Sequence, residues 1–152
     1  KTDRIGVSFP QQTARPKALG PLLRLHGDAP ALEQLMTTGW LSGMGDHIIQ
    51  GKIDYVPKGT THRVVRRVQG KTNAERQRRR HAKRHGVSLD EARQIIPDEA
   101  EIRLKLPYLV VRSQSTGQRF PLFIEHLAEQ STPIAGPFSA YGLSATATVP
   151  WF

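Results

Sequence analysis

The stretch Asn73-Ala-Glu-Arg-Gln-Arg-Arg-Arg-His-Ala-Lys-Arg-His85 decides how this chain is read, because it reads as a helix and offers no side to a core. Thr72 and Glu75 have the spacing of a capping box, and Gly86 supplies a C-terminal stop. Between the caps the only apolar residues are Ala74 and Ala82, so core burial cannot hold the helix in place. Arg76, Arg79, Arg80, Lys83 and Arg84 fall at i, i+3, i+4, i+7 and i+8 and share one broad face. Like charges at that spacing repel by a few tenths of a kcal/mol per pair. A solvated surface helix normally mixes signs, whereas this one carries a single acid, in its cap. A phosphate backbone would neutralise the face, and each arginine can fork two hydrogen bonds to a phosphate or to a guanine edge.

Outward from the helix, Thr61 to Gln69 reads as a strand carrying basic side chains, and Ser88-Leu89-Asp90-Glu91 as a second capping box opening a helix that Pro97 ends. Tyr108 to Arg112 is an apolar strand, Ser113 to Gln118 a polar turn, and Phe120 to Ile124 another strand. Towards the N-terminus, Arg4 to Pro10 alternates as a strand, the stretch up to Pro21 is a loop, and Leu22 to His26 is a short strand. Asp28 caps a helix with Leu32, Leu35 and Met36 at helical spacing, and Gly39 ends it. His47 to Val56 alternates and reads as a strand, and Phe138 to Leu143 is strand-like. No internal repeat is present.

Composition narrows the class. Apolar residues make up 38% of the 152 residues, and no run approaches a membrane-spanning length. The absence of cysteine excludes disulfides and thiolate metal sites and fits a reducing cytoplasm. From Arg63 to His85 there are ten Lys or Arg against one acid, a local excess equal to the net charge of +9 for the whole chain. The basic character is therefore a patch, the electrostatic footprint of a nucleic-acid partner. Nothing in the charge pattern alone separates DNA from RNA, or an enzyme from a ribosomal-type binding protein.

Five stretches in order carry a resemblance: Arg4-Ile-Gly-Val-Ser-Phe-Pro10, Arg66-Arg-Val-Gln69 running into the basic helix, Arg112-Ser-Gln-Ser-Thr-Gly-Gln118, Tyr141-Gly-Leu-Ser144, and Val149-Pro-Trp-Phe152. Together they resemble the repeat-cleaving endoribonucleases of type I-F CRISPR systems, the Cas-six family of Csy type, over the chain from Asp3 to Phe152. The resemblance implies an α+β fold. Residues 1–59 would form a ferredoxin-like (RRM-like) domain lacking its first strand and helix, and residues 60–152 an α+β RNA hairpin-binding domain with the arginine-rich helix. It implies a cofactor-free and metal-independent reaction, in which the RNA's 2′-hydroxyl attacks the adjacent phosphate. The enzyme would stay on the 3′ hairpin of the guide RNA beside the other subunits of a surveillance complex.

The same resemblance gives site expectations. Arg76 lies on the basic face, and Arg79, Arg80, Lys83, Arg84 and His85 match groove- and phosphate-contacting positions. Where the family usually carries arginine this chain has Lys83, a point charge without the guanidinium fork. Arg67 and Gln69 match readers of purine edges, and Phe120 the aromatic that stacks beneath the terminal base pair. Ser113 matches the active-site serine, Ser115 shares its turn and is a candidate to bind the nearby phosphate, and Tyr141 matches the tyrosine that orients the catalytic histidine. The family's general-base histidine falls before Lys1, so the sequence is expected to be part of a longer protein. His26, His47, His62, His81, His85 and His126 are none of them expected to replace it. The rival expectation is a non-catalytic subunit that caps a guide RNA hairpin.

Overall fold

A computed structural model of the chain describes residues 3–14, 17–69, 74–96, 104–113 and 115–152. Short strands come first: β1 (Gly6–Ser8), β2 (Thr13–Ala14), β3 (Lys17–Ala18) and β4 (Arg24–His26). β1 and β4 pair antiparallel in the register Val7↔Leu25. β2 and β3, two residues each, pair antiparallel inside the stretch expected to be loop. Helix α1 (Ala29–Thr37) starts as the sequence predicts, with the Asp28 carboxylate accepting from the Ala31 N–H at 2.9 Å.

The larger sheet is antiparallel, in the order β6 (Tyr108–Arg112), β7 (Arg119–His126), β5 (Thr61–Val68), β8 (Thr148–Trp151). Pro150 is tolerated in β8 because that strand lies at the edge of the sheet. Helices α2 (Ala74–His85) and α3 (Leu89–Ile95) lie between β5 and β6 in the chain and pack on each other. The Ser88–Glu91 capping box is present with both of its hydrogen bonds. The expected Thr72 cap and the Pro97 stop lie outside the described residues.

One core joins the small sheet to the large one. Phe9 and Leu19 pack with Val65, Leu122, Ile124, Leu143 and Val149, and Val7, Val111, Phe120 and Phe138 close over them. β1 reaches this core because Gly6 has no side chain: a Cβ there would meet Val149 Cγ1 at 2.6 Å and the Phe138 ring at 2.8 Å.

Two expectations fail. His47 to Val56 forms no strand; Ile49 is fully exposed and Tyr55 95% exposed. Alternation alone makes no strand without a neighbour to complete its ladder, and among the described residues none lies beside this segment. Phe138 to Leu143 is likewise a turn. The Ser139 hydroxyl accepts from Tyr141 N–H at 3.4 Å and Leu143 N–H at 3.3 Å, folding the segment where a strand would stay extended.

Replacing Gly6 by Ala is expected to cost about 1–3 kcal/mol through overpacking. Gly45→Ala, where no heavy atom lies within 4 Å of the new methyl group, is expected to stay within about 0.5 kcal/mol. Chemical denaturation of the two variants checks both values, and equal stabilities would contradict the close approach.

Candidate nucleic-acid interface

Helix α2 sorts its basic residues by face. Arg76, Arg79, Arg80, Lys83 and Arg84 are all exposed, while Gln77, His81 and Ala82 are half-buried and Arg78 is buried. Among the described residues no carboxylate pairs with Arg79, Arg80, Lys83 or Arg84. Lys83, Arg84 and His85 occupy the last turn, where the helix dipole favours cations. His85 is exposed, and its ring lies 4.4 Å from that of His81, beside a groove that Arg80, Arg84 and Ile96 also line.

Strand β5 divides its arginines in another way. Arg66 pairs with Glu125 directly across the ladder, at 2.8 Å. Arg63 donates to the Leu127 carbonyl at 2.6 Å and stacks over Trp151 at 4.6 Å, with Glu129 at 3.8 Å. Both charges are engaged within the sheet. Arg67 points to the opposite face from Arg66, and its guanidinium lies 5.4 Å from the centre of the Phe120 ring and 5.9 Å from that of Tyr141. Cation–π contacts at exposed positions contribute roughly 0.5–1 kcal/mol each, enough to bias the guanidinium towards this place while leaving its N–H donors available.

Backbone constraints fix the partners of Arg67. Phe120 sits in β7 opposite Val111, half-buried against the core. Tyr141 precedes Gly142, whose carbonyl accepts from Val7 N–H at 2.9 Å. Gly142 has φ +69° and lies so near β1 that a Cβ would meet Val7 Cγ1 at 2.5 Å. The tyrosine therefore rides on a turn pinned to the small sheet.

Ser113 and Ser115 stand in the β6–β7 turn. Their hydroxyl oxygens are 3.1 Å apart, and Ser113 Oγ accepts from the Thr116 N–H at 3.2 Å. Ser113 N–H donates to the Gln118 carbonyl at 2.8 Å, which closes the turn just beyond the Arg112↔Arg119 pair. The structure thus brings Arg67, Phe120 and Tyr141 into contact and places the two serines in the turn that precedes β7. Gln69 is exposed just past the end of β5. The resemblance singles out Arg67 and not Arg63 or Arg66; the cross-strand register, which sets Glu125 against Arg66, adds a physical reason for leaving Arg66 in the framework.

The histidines have other partners. His26 is buried, its Nε2 2.8 Å from Ser8 Oγ, and burial with the nearby Arg24 charge pushes its pKa down to about 4. His126 bonds Gln12 Oε1 through Nδ1 at 2.5 Å, and burial with Arg63 likewise takes it to about 4. Both are uncharged at neutral pH.

A family model described as CRISPR-associated protein (Cas_Csy4) matches residues 1–152. The chain belongs to this family. A relative named CRISPR-associated endonuclease Cas6/Csy4, from Pseudomonas aeruginosa (strain UCBPP-PA14), is 49% identical over 150 residues, spanning 99% of this chain and 80% of that protein. A protein of the same name from Escherichia coli (strain UTI89 / UPEC) is 43% identical over 148 residues, 97% of this chain and 79% of its own length. Among the described residues, no helix of this Cas_Csy4 family member is long and apolar enough to cross a membrane.

The two lowered histidines carry a stability prediction. Each stays neutral in the fold down to about 4 but has an ordinary value of 6.5, so below 6.5 the unfolded chain takes up protons that the fold does not. Stability is full above that value and declines as pH falls towards 4. Thermal melts across this window are expected to show a falling midpoint, with a shallower decline in His26→Gln; a flat profile would contradict the buried, neutral state.

Proposed function

We propose that the protein is a CRISPR RNA endoribonuclease, which binds the repeat stem-loop through α2 and cleaves precursor CRISPR RNA in a metal-independent reaction. The observation that carries this reading is the exposed face of α2, whose Arg79, Arg80, Lys83 and Arg84 have no carboxylate partner among the described residues. Such a face is the electrostatic footprint of a polyanionic partner, and the two relatives, each named a CRISPR-associated endonuclease, support nuclease action as its purpose. In this reading the basic side chains and His85 contact the phosphates and groove edges of the stem. Arg67 and Gln69 read purine edges in the lower stem. The terminal base pair stacks on Phe120, and Arg67 keeps one ring face occupied until the RNA arrives.

In the cleavage step the 2′-oxygen bonds to phosphorus and the P–O5′ bond breaks, giving a 2′,3′-cyclic phosphate. The 2′-hydroxyl proton passes to a base, and the departing 5′-oxygen takes one up. Ser113 positions the attacking hydroxyl, Ser115 binds the adjacent phosphate, and Tyr141 orients the base. Neither His26 nor His126 is assigned as the base: the first is tied to Ser8 and the second to Gln12, and a lowered pKa makes each a poor proton acceptor. Residues 1–59 are read as a partial ferredoxin-like domain and residues 60–152 as the hairpin-binding domain. The enzyme would act in the cytoplasm, where the lack of cysteine costs it nothing, and remain on the mature hairpin among the other subunits of a surveillance complex.

One observation favours a second reading, a non-catalytic hairpin cap. The partners of the Ser113 hydroxyl, among the described residues, are Ser115 and Thr116 and include no histidine. Replacing Ser113 by Ala separates the two. Single-turnover cleavage of a repeat hairpin without divalent metal is expected to slow by about 10²-fold, the scale of one lost transition-state hydrogen bond. Hairpin affinity should hold within twofold. Absence of a cyclic-phosphate product from the unsubstituted protein would leave the cap reading standing.

A further inference from the structure

Arg78 is the exception among the basic residues of α2. It is 7% exposed, while Arg76, Arg79, Arg80, Lys83 and Arg84 are open to solvent. At 3.6 residues per turn it lies about 200° around the axis from Arg76, behind the exposed row. Its Nε donates to the Ile96 carbonyl at 2.8 Å. Ile96 is the C-cap of α3, and its own N–H already bonds the Ala92 carbonyl.

These facts combine into a mechanical role. α2 has no apolar stripe, so it cannot be oriented by burying side chains in a core. Its contacts run instead to α3, whose Ala92 is completely buried. Carbonyls at the end of a helix lack intrahelical donors, and a buried cation is tolerated only where it is hydrogen-bonded. The bond from Arg78 Nε supplies the Ile96 carbonyl with a donor and the buried cation with one of its partners. The bond ties the middle of α2 to the end of α3 and fixes the rotation of α2 about its axis.

We propose that Arg78 is a positioning residue for RNA recognition: it makes no RNA contact, and by anchoring α2 to α3 from behind it presents the exposed arginine row to the stem-loop. This rests on the reading that the exposed face of α2 binds hairpin RNA.

The test measures binding of a repeat hairpin and of a linear RNA of equal length across a salt series, for Arg78→Lys, Arg78→Ala and Arg79→Ala. Lysine keeps the charge but cannot reproduce the planar Nε–H donor. Both Arg78 variants are expected to lose about tenfold or more in hairpin affinity, the scale of a lost hydrogen bond to a charged group. The lysine variant should keep its affinity for linear RNA within about twofold and keep its salt slope, since non-specific binding follows charge. Arg79→Ala should weaken both RNAs and flatten the slope by about one.

Hairpin binding by Arg78→Lys at the unsubstituted level would overturn the proposal, because charge alone would then suffice. So would an Arg78→Ala variant with the signature of Arg79→Ala, which marks a phosphate contact. Global unfolding of both Arg78 variants, seen as loss of near-ultraviolet dichroism, would also overturn it by making Arg78 a general stability residue. If Arg79→Ala leaves hairpin binding unchanged, the underlying reading of α2 fails and takes this inference with it.

Discussion

β1 presses its backbone against the rest of the molecule at two consecutive residues, and much of the arrangement follows from that. At Gly6 the strand meets Val149 of β8 and Phe138, with no room for a side chain. At Val7 its N–H bonds the Gly142 carbonyl. The first contact joins the small sheet to the edge of the large one. The second holds the turn that carries Tyr141, and Tyr141 in turn flanks Arg67 on β5. Residues more than a hundred positions apart are thus placed by a strand of three residues, which can do this only because glycine stands on both sides of the contact.

Charge is handled in two ways, and the difference separates framework from interface. Arg63 and Arg66 have acceptors or carboxylates within the sheet, and Arg78 has a carbonyl at the end of α3. Arg79, Arg80, Lys83 and Arg84 have no carboxylate among the described residues. Surface ion pairs contribute little to stability, so leaving these cations unpaired costs the fold almost nothing. What it provides is a face of one sign, with an electrostatic reach of about 8 Å at physiological salt. Arg67 lies between the two groups: it is held by aromatic rings, which leave its hydrogen-bond donors free for a ligand.

The parts legible in the sequence were those whose cause is local. The Asp28 cap, the Ser88–Glu91 capping box and the period of the α2 arginines depend on neighbours within one or two turns, and each appears where it was expected. The β6 and β7 strands, with Ser113 in the turn between them, likewise follow from a local pattern. The misreadings share a different cause. His47 to Val56 has the alternation of a strand, but a strand exists through its partner. Phe138 to Leu143 has strand-like composition, but the Ser139 hydroxyl gives its backbone a competing bond. The division of labour among the arginines could not be read locally either. It depends on Glu125 lying opposite Arg66 and on Ile96 lying behind Arg78, both long-range placements.

The central claim, that the exposed row on α2 grips an RNA stem-loop through its phosphates, is tested most directly by the salt dependence of hairpin affinity in the protein and in its Arg80→Ala/Arg84→Ala variant. If each of these arginines neutralises a phosphate, the double variant should bind more weakly and its slope of log affinity against log salt should shrink by about two. An unchanged slope, with affinity intact, would mean that the row faces solvent in the complex and that the RNA is held elsewhere.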